Sequence, residues 1–359
     1  MPSIFFTPGP AHLYPTVSAH LSQALADQIP SFSHRSQKFM DIHKLAVEGL
    51  KELLSVPKEH SVFFLSSATE IWERLPQNCV QQASFHYVNG SFSSRYFQMV
   101  SKLGIRALKH EVAWGEGFEF DPGEIPSEVE MINFTHNETS TGVMTPMESL
   151  SAYRERHPSA LITLDMVSSA PYGQPDWEVV DAAYFSVQKC FGLPAGLGVL
   201  ILNPRCLEKA GEKLASGSSI GTYHSFLAQQ EKYVKNQTVE TPNILGIYLL
   251  GKVVQDMLAI GIHEIRQTIR ERARILYDLV ERHPHLSISV KDETFRSPTV
   301  IVPNVAEAAP PLLENWQKEG IIVGSGYGKM KGKQVRFANF PSNTDSEFDR
   351  LVSLLQKEL

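Results

Sequence analysis

The chain has 359 residues, 42% of them hydrophobic and 20% charged, with a formal net charge of −6. That is the balance of a soluble globular chain long enough to bury a core without disulfide or metal staples, and it excludes disorder, collagen-like repeats and coiled coils. The acidic surplus gives no electrostatic basis for non-specific binding to nucleic acid or anionic membranes. Cys79, Cys190 and Cys206 show no CxxC spacing, so neither a disulfide framework nor a zinc knuckle is indicated and a reducing cytoplasm is expected.

The N-terminal MPSIFFTPGPAHLYP lacks a basic segment and is broken by prolines, so it does not read as a signal peptide. No apolar run approaches the ~18 residues of a membrane span. The first recognisable helix is Phe39 to Leu54, where Ile42, Leu45, Ala46, Leu50, Leu53 and Leu54 recur at helical spacing. Short apolar runs follow, each ending in a polar cluster: Val62–Leu65 before Ser66-Ser67-Ala68-Thr69, and Phe85–Val88 before Gly90-Ser91-Phe92. The pattern returns at Met131–Phe134 before His136-Asn137-Glu138-Thr139, at Leu161–Leu164 before Asp165, and at Ala182–Phe185 before Gln188-Lys189. Strands alternating with helical segments predict an α/β fold around a mostly parallel sheet, in which ligands bind beyond the carboxyl ends of the strands.

Ile244 to Arg282 reads as two helices broken near Gly261, and beyond it come short strands and a terminal helix opened by a Thr344-to-Glu347 capping box. These features predict a large domain over residues 15–254 and a smaller α+β domain over 255–359, with segment 1–14 packed on the latter.

Lys189, enclosed by apolar and small residues, suits an amine whose pKa burial lowers toward Schiff-base chemistry; a lysine snorkelling to water is the alternative. Asp165, at the end of an apolar strand, is placed like a carboxylate that pairs with a pyridinium nitrogen, or like a helix cap. Ser66 to Thr69 can cradle a phosphate at a helix start, or simply cap it. Gly324-Ser325-Gly326-Tyr327-Gly328-Lys329 imitates a phosphate loop, yet no helix signal follows, so it reads as a flexible loop. A phosphate, a ring nitrogen and an aldehyde together describe pyridoxal 5′-phosphate.

With Phe6-Thr7-Pro8-Gly9-Pro10, Ser33-His34-Arg35-Ser36, Asn137-Glu138-Thr139, Asp165, Gln188-Lys189, Pro194-Ala195-Gly196-Leu197 and Thr241-Pro242 in this order, the chain resembles the class V, fold-type I aminotransferases over nearly its full length. Their phosphoserine aminotransferase branch is the most similar. The resemblance implies pyridoxal-phosphate-dependent amino transfer from glutamate to 3-phosphohydroxypyruvate in serine biosynthesis. It makes Lys189 the Schiff-base lysine and proton carrier, Asp165 the partner of the pyridinium nitrogen, and Phe92 the stacking aromatic where the family usually has tryptophan. Thr139 would lie beside the cofactor's phenolic oxygen. Ala68, Thr69 and Gln188 would hold the phosphate, joined by Glu240 and Thr241 from a second subunit of a homodimer; at Glu240 the family commonly has asparagine. His34, Arg35 and Arg336 would bind substrate.

Two features depart from the family. An arginine that often binds the substrate phosphate is missing from Ala68-Thr69-Glu70, and the usual Gly-His-Arg is replaced by Gly326-Tyr327-Gly328-Lys329, where Lys329, Lys331 or Lys333 could substitute. A serine– or alanine–glyoxylate aminotransferase is therefore the nearest alternative. A cysteine desulfurase would want a cysteine on a late loop, and none lies beyond Cys206. A catalytically dead protein of the same fold has no evident reason to retain both Lys189 and Asp165.

Overall fold

The computed structural model describes residues 3–359. The chain opens with β1 (Ile4–Phe6), α1 (Val17–Ala26), α2 (Gln37–Leu53), β2 (Ser61–Leu65), α3 (Ala68–Cys79), β3 (Ala83–Val88) and α4 (Ser91–Lys102). Next come β4 (Arg106–Glu111), β5 (Val129–Thr135), β6 (Asn137–Glu138), β7 (Val143–Met144), α5 (Ser151–Arg156), β8 (Leu161–Asp165), β9 (Ala182–Ser186) and β10 (Gly198–Leu202). Helices α6 (Pro204–Ala215), α7 (Phe226–Tyr233), α8 (Ile244–Ile260) and α9 (Ile262–Arg282) follow. The remainder holds β11 (Leu286–Ile288), β12 (Val300–Ile301), β13 (Pro303–Val305), α10 (Leu312–Lys318), β14 (Ile321–Ser325), β15 (Val335–Ala338) and α11 (Asp345–Gln356).

Seven strands form the central sheet in the order β2-β10-β9-β8-β5-β3-β4. Only β10 runs against the rest. The segment between Ser186 and Gly198 carries no helix, too little chain for a right-handed crossover, so the strand returns antiparallel. Strands β3, β5, β8, β9 and β10 are buried along almost their whole length, as a sheet covered on both faces requires.

The expected first helix is α2, and a further helix, α1, precedes it. Ser36 caps α2 by accepting the Phe39 N–H, and its buried face (Phe39, Ala46, Leu50, Leu53) packs on α8. The break at Gly261 is present, with φ at +96. A second sheet, β1-β14-β15-β12, takes the N-terminal strand in parallel register with β14, Ile4 beside Ile321. Its core gathers Phe6, Leu276, Trp316, Phe337 and Leu351. The seam between the two cores runs along α9, whose Ile265 and Ile269 belong to the large core and whose Ala273 and Leu276 belong to the small one. The sequence-based division at residue 255 falls inside α8, and Met257 still packs in the large core.

The segment read as a flexible loop is ordered differently. Gly324 and Ser325 are part of β14, paired with Arg336 and Val335, and residues 328–330 form a tight helical turn. The Thr344–Glu347 capping box is formed.

Candidate active site

Strands β8 and β9 deliver the central pair. Asp165 ends β8 opposite Tyr184, and the chain leaving β9 turns through Gln188 into Lys189. Lys189 Nζ has no hydrogen-bond or ion-pair partner among the described residues and lies 5.5 Å from the Phe92 ring centroid. Burial lowers its pKa to about 8, helped by the Arg336 guanidinium and opposed by Cys190, Asp165 and Glu138. The N-terminal arm closes over it: Ala11 N–H donates to Gln188 O at 2.8 Å and Tyr14 N–H to Gly192 O at 2.8 Å. Gly9 makes this approach possible. A Cβ there would lie 2.5 Å from Lys189 Cε, and its φ of +138 is open chiefly to glycine.

Asp165 is buried, with Oδ2 accepting from Trp72 Nε1 at 2.9 Å and Oδ1 from the Val167 N–H at 2.9 Å. Burial raises its pKa to about 6, with the two donors and Lys189 holding it down and Glu138 adding to the rise. Trp72 is in turn stacked on Tyr96, with centroids 5.7 Å apart.

Glu138 is fully buried and satisfied by hydrogen-bond donors alone. It accepts from the N–H groups of Phe92, Ser93 and Ser140 and from the hydroxyls of Ser93 and Ser140. Its charge sits at the N-terminus of α4, where the helix dipole favours an anion. This clamp fixes the backbone that presents Phe92. The neighbouring Thr139 Oγ1 donates to Ser168 Oγ at 2.8 Å, and Ser168 donates to Asn137 O. Asn137 Oδ1 is buried with no partner among the described residues.

At the start of α3, Ser67 caps the helix and the Ala68 N–H donates to Ser186 Oγ at 2.8 Å. Glu70 folds back to accept from Ser66 N–H and Oγ and faces His224 Nδ1 at 3.1 Å. The Thr69 N–H and hydroxyl are left without partners among the described residues, whereas the Ala68 N–H, expected to hold phosphate, is already engaged.

Arg336 comes from β15. Its Nε donates to Ser325 O at 2.7 Å, and its guanidinium lies 5.5 Å from the Tyr327 ring centroid. Tyr327 lies 4.8 Å from Phe92. Burial lowers the Arg336 pKa, against Tyr327 and Glu138. Of the three candidate lysines, Lys329 shares a cleft with Asn89, Ser91 and Glu111 at the start of α4, its ammonium 5.7 Å from the Trp114 ring centroid. Lys333 lines a separate groove with Pro310 and Leu312.

His34 and Arg35 make no contact with Lys189 or Arg336 in this chain. Arg35 donates to Gln237 Oε1 and to the carbonyls of Thr238 and Val239, and His34 Nδ1 is 3.3 Å from Thr241 Oγ1. These residues form one group at the outer surface, next to the small cavity that Glu240 and Thr241 line with Ser66 and Glu70. Glu240 Oε2 is buried and unpartnered among the described residues. A carboxylate has no N–H to offer a phosphate, which removes the physical basis for expecting Glu240 as a phosphate ligand.

The family model of class V aminotransferases matches residues 4–331. The chain belongs to the class V aminotransferases. This class V aminotransferase is 27% identical over 97% of its length to a phosphoserine aminotransferase of Nocardioides sp., 93% of which is covered. It is 29% identical over 94% of its length to a putative phosphoserine aminotransferase of Mycobacterium leprae, covered to 89%. Among solved structures, a phosphoserine aminotransferase from Cytophaga hutchinsonii superposes with a TM-score of 0.96, at 46% identity and 99% coverage of both chains. An aspartate aminotransferase from Thermus thermophilus shares the fold, with a TM-score of 0.85 at 24% identity and coverage of 99% and 100%.

Enzymes of this class work with pyridoxal 5′-phosphate, and the aminotransferase has the groups for it: an unpartnered amine, a buried carboxylate with acceptor capacity left on both oxygens, and free donors at Thr69. Sequence reasoning missed Trp72, Ser168, Ser186, Glu138 and Tyr327 as parts of this site. Two of them carried a signal: Trp72 lies one helical turn after Ala68 on the same face of α3, and Glu138 stands beside Thr139 in the cluster that follows β5. Among the described residues no single helix is long and apolar enough to cross a membrane.

Proposed function

We propose that this aminotransferase binds pyridoxal 5′-phosphate and transfers the amino group of glutamate to 3-phosphohydroxypyruvate, giving phosphoserine for serine biosynthesis. The observation that carries the chemistry is the free Lys189 amine facing Phe92, one strand away from the Asp165 carboxylate. Lys189 would hold the cofactor through its aldehyde, Asp165 its ring nitrogen, Thr69 and Gln188 its phosphate, and Thr139 with Ser168 its ring oxygen. When bound, that ring supplies a sink for the electrons left when the substrate Cα–H bond breaks.

The protein's own groups do the rest. Lys189, its pKa lowered to about 8 so that a neutral fraction is present near neutral pH, would carry the proton between the substrate Cα and the cofactor's C4′. Phe92, fixed through Glu138, covers one face and excludes water. Arg336 offers a planar two-pronged donor to the α-carboxylate, and Lys329 a second charge for a phosphate. The phosphorylated substrate is supported by the 46% identity with the Cytophaga hutchinsonii enzyme.

The exposed His34, Arg35 and Thr241 group is read as serving the active site of a second copy in a two-fold homodimer, each subunit completing the other. Three buried free thiols agree with a reducing cytoplasm. Borohydride reduction of the holoenzyme is expected to attach the cofactor to the peptide containing Lys189, and labelling of another lysine would sink the assignment.

A further inference from the structure

Where α9 crosses the loop after β8, a second cleft of about 550 Å³ opens along the seam between the two cores. It shares no residue with the site around Lys189. Its lining contains three arginines, Arg266, Arg270 and Arg296, against a single carboxylate, Glu148.

Arg266 is 5% exposed and has no carboxylate within ion-pair distance among the described residues. Its Nε donates to Tyr172 O at 2.9 Å and its Nη2 to Pro171 O and Gly173 O at 3.2 and 3.4 Å. Nη1 has no protein acceptor among the described residues. Arg270 lies one helical turn further on, exposed and likewise without an ion pair, and it repels Arg266: burial first and this neighbour second lower the Arg266 pKa to about 10, against Tyr172. Across the cleft Arg296 is paired only with the exposed carboxylates of Glu281 and Glu293, at 3.6 and 3.0 Å. Thr294 also lines that wall, its hydroxyl donated to the Asp292 carboxylate.

A nearly buried guanidinium costs free energy unless its charge is balanced, and here carbonyl dipoles alone hold it while a second arginine opposes it. An anion placed between the three guanidiniums relieves that repulsion and gains charge-assisted, two-pronged hydrogen bonds. We propose that this cleft is a binding site for a compact dianion, a phosphate or a dicarboxylate, distinct from the substrate site. The bound anion would bridge α9 to the segment around Arg296 and so tie the two cores together. The inference does not depend on which substrate the enzyme transaminates.

The test is to soak crystals of the holoenzyme in millimolar tungstate as a phosphate mimic, and to titrate the holoenzyme calorimetrically with inorganic phosphate and separately with succinate. An anomalous peak within hydrogen-bond distance of Arg266 Nη1 is expected. In an Arg270→Ala/Arg296→Gln variant that peak should vanish and affinity for the cleft fall at least about tenfold, with kcat/KM for transamination unchanged. Binding of phosphate or of succinate that is lost in the variant supports the site and names its anion, since the substrate site, which accepts the same kinds of anion, keeps its residues in that variant. Binding of neither, or affinity unchanged in the variant, overturns it. Should the double variant fold poorly, Arg270→Ala alone, with its exposed side chain, supports the same comparison.

Discussion

The indole N–H of Trp72 donates to Asp165 Oδ2 at 2.9 Å, so the first turns of α3 link the Ser66–Thr69 turn, proposed to hold the phosphate, to the carboxylate at the end of β8. Trp72→Phe keeps a ring against Tyr96 and removes the donor, together with part of the buried indole's volume. A hydrogen bond to a charged group contributes roughly 1.5–3 kcal/mol, so kcat is expected to fall about 10- to 150-fold while circular dichroism stays native. Unchanged kcat would show that the indole N–H is dispensable.

Asp165 also sets a pH dependence. Its pKa in the folded, cofactor-free protein is about 6, against 3.8 ordinarily. Between those values the folded state holds a proton that the unfolded chain has released, so stability falls as pH rises through the window and stays lowered above it. Asp165→Asn cannot titrate. The stability of this variant minus that of the unsubstituted apoenzyme should therefore grow by up to about 3 kcal/mol between about pH 3.5 and 7, since each tenfold difference in proton affinity is worth roughly 1.4 kcal/mol. Urea unfolding at both pH values measures it, and a difference independent of pH would refute the burial of this charge.

The sheet and its polar strand ends were legible because alternation of apolar runs and small polar clusters follows from strands buried on both faces. Asp165 and Lys189 stood out for the same reason: each interrupts an apolar context where a ligand would sit. Tyr327 did not, because it reaches the site from far along the chain, a distance no local pattern encodes, whereas Ser168 and Ser186 lie three residues from Asp165 and Lys189, where a serine reads equally well as an ordinary turn residue. The direction of β10 was hidden too, since Val199 to Leu202 is equally apolar either way round, and only the helix-free link before it limits the choice. His34 and Arg35 were legible as a motif but not as a location: the hydrogen bonds from Arg35 to the Gln237 side chain and to the Thr238 and Val239 carbonyls tie it to the segment carrying Thr241 and not to Lys189.

Attachment of pyridoxal 5′-phosphate to the apoenzyme should follow the neutral fraction of Lys189. With a pKa of about 8, the rate is expected to climb about tenfold per pH unit below that value and level off above it. Arg336 is the second cause of the lowering after burial, so Arg336→Gln should move the midpoint to higher pH. Stopped-flow absorbance of the two proteins over a pH series checks both. A rate still rising steeply at about pH 10 would mean that the lysine titrates like an exposed one.

The proposed role of Lys329 in substrate choice is testable. The family arginine near Ala68-Thr69-Glu70 is absent, and Glu70 there is a carboxylate engaged with Ser66 and His224. Positive charge for a phosphate must then come from elsewhere, and Lys329 lies at the start of α4 next to Ser91, one residue from Phe92. Its ammonium is held over Trp114 and forms no ion pair among the described residues. Lys329→Ala should raise KM for 3-phosphohydroxypyruvate about tenfold or more with kcat nearly unchanged, the signature of lost uniform binding. Transamination between alanine and glyoxylate, neither of which carries a second anion, should be insensitive to the change. If the unsubstituted enzyme prefers glyoxylate to 3-phosphohydroxypyruvate in kcat/KM, or if Lys329→Ala weakens both reactions equally, the phosphorylated substrate is wrong while the roles of Lys189 and Asp165 stand.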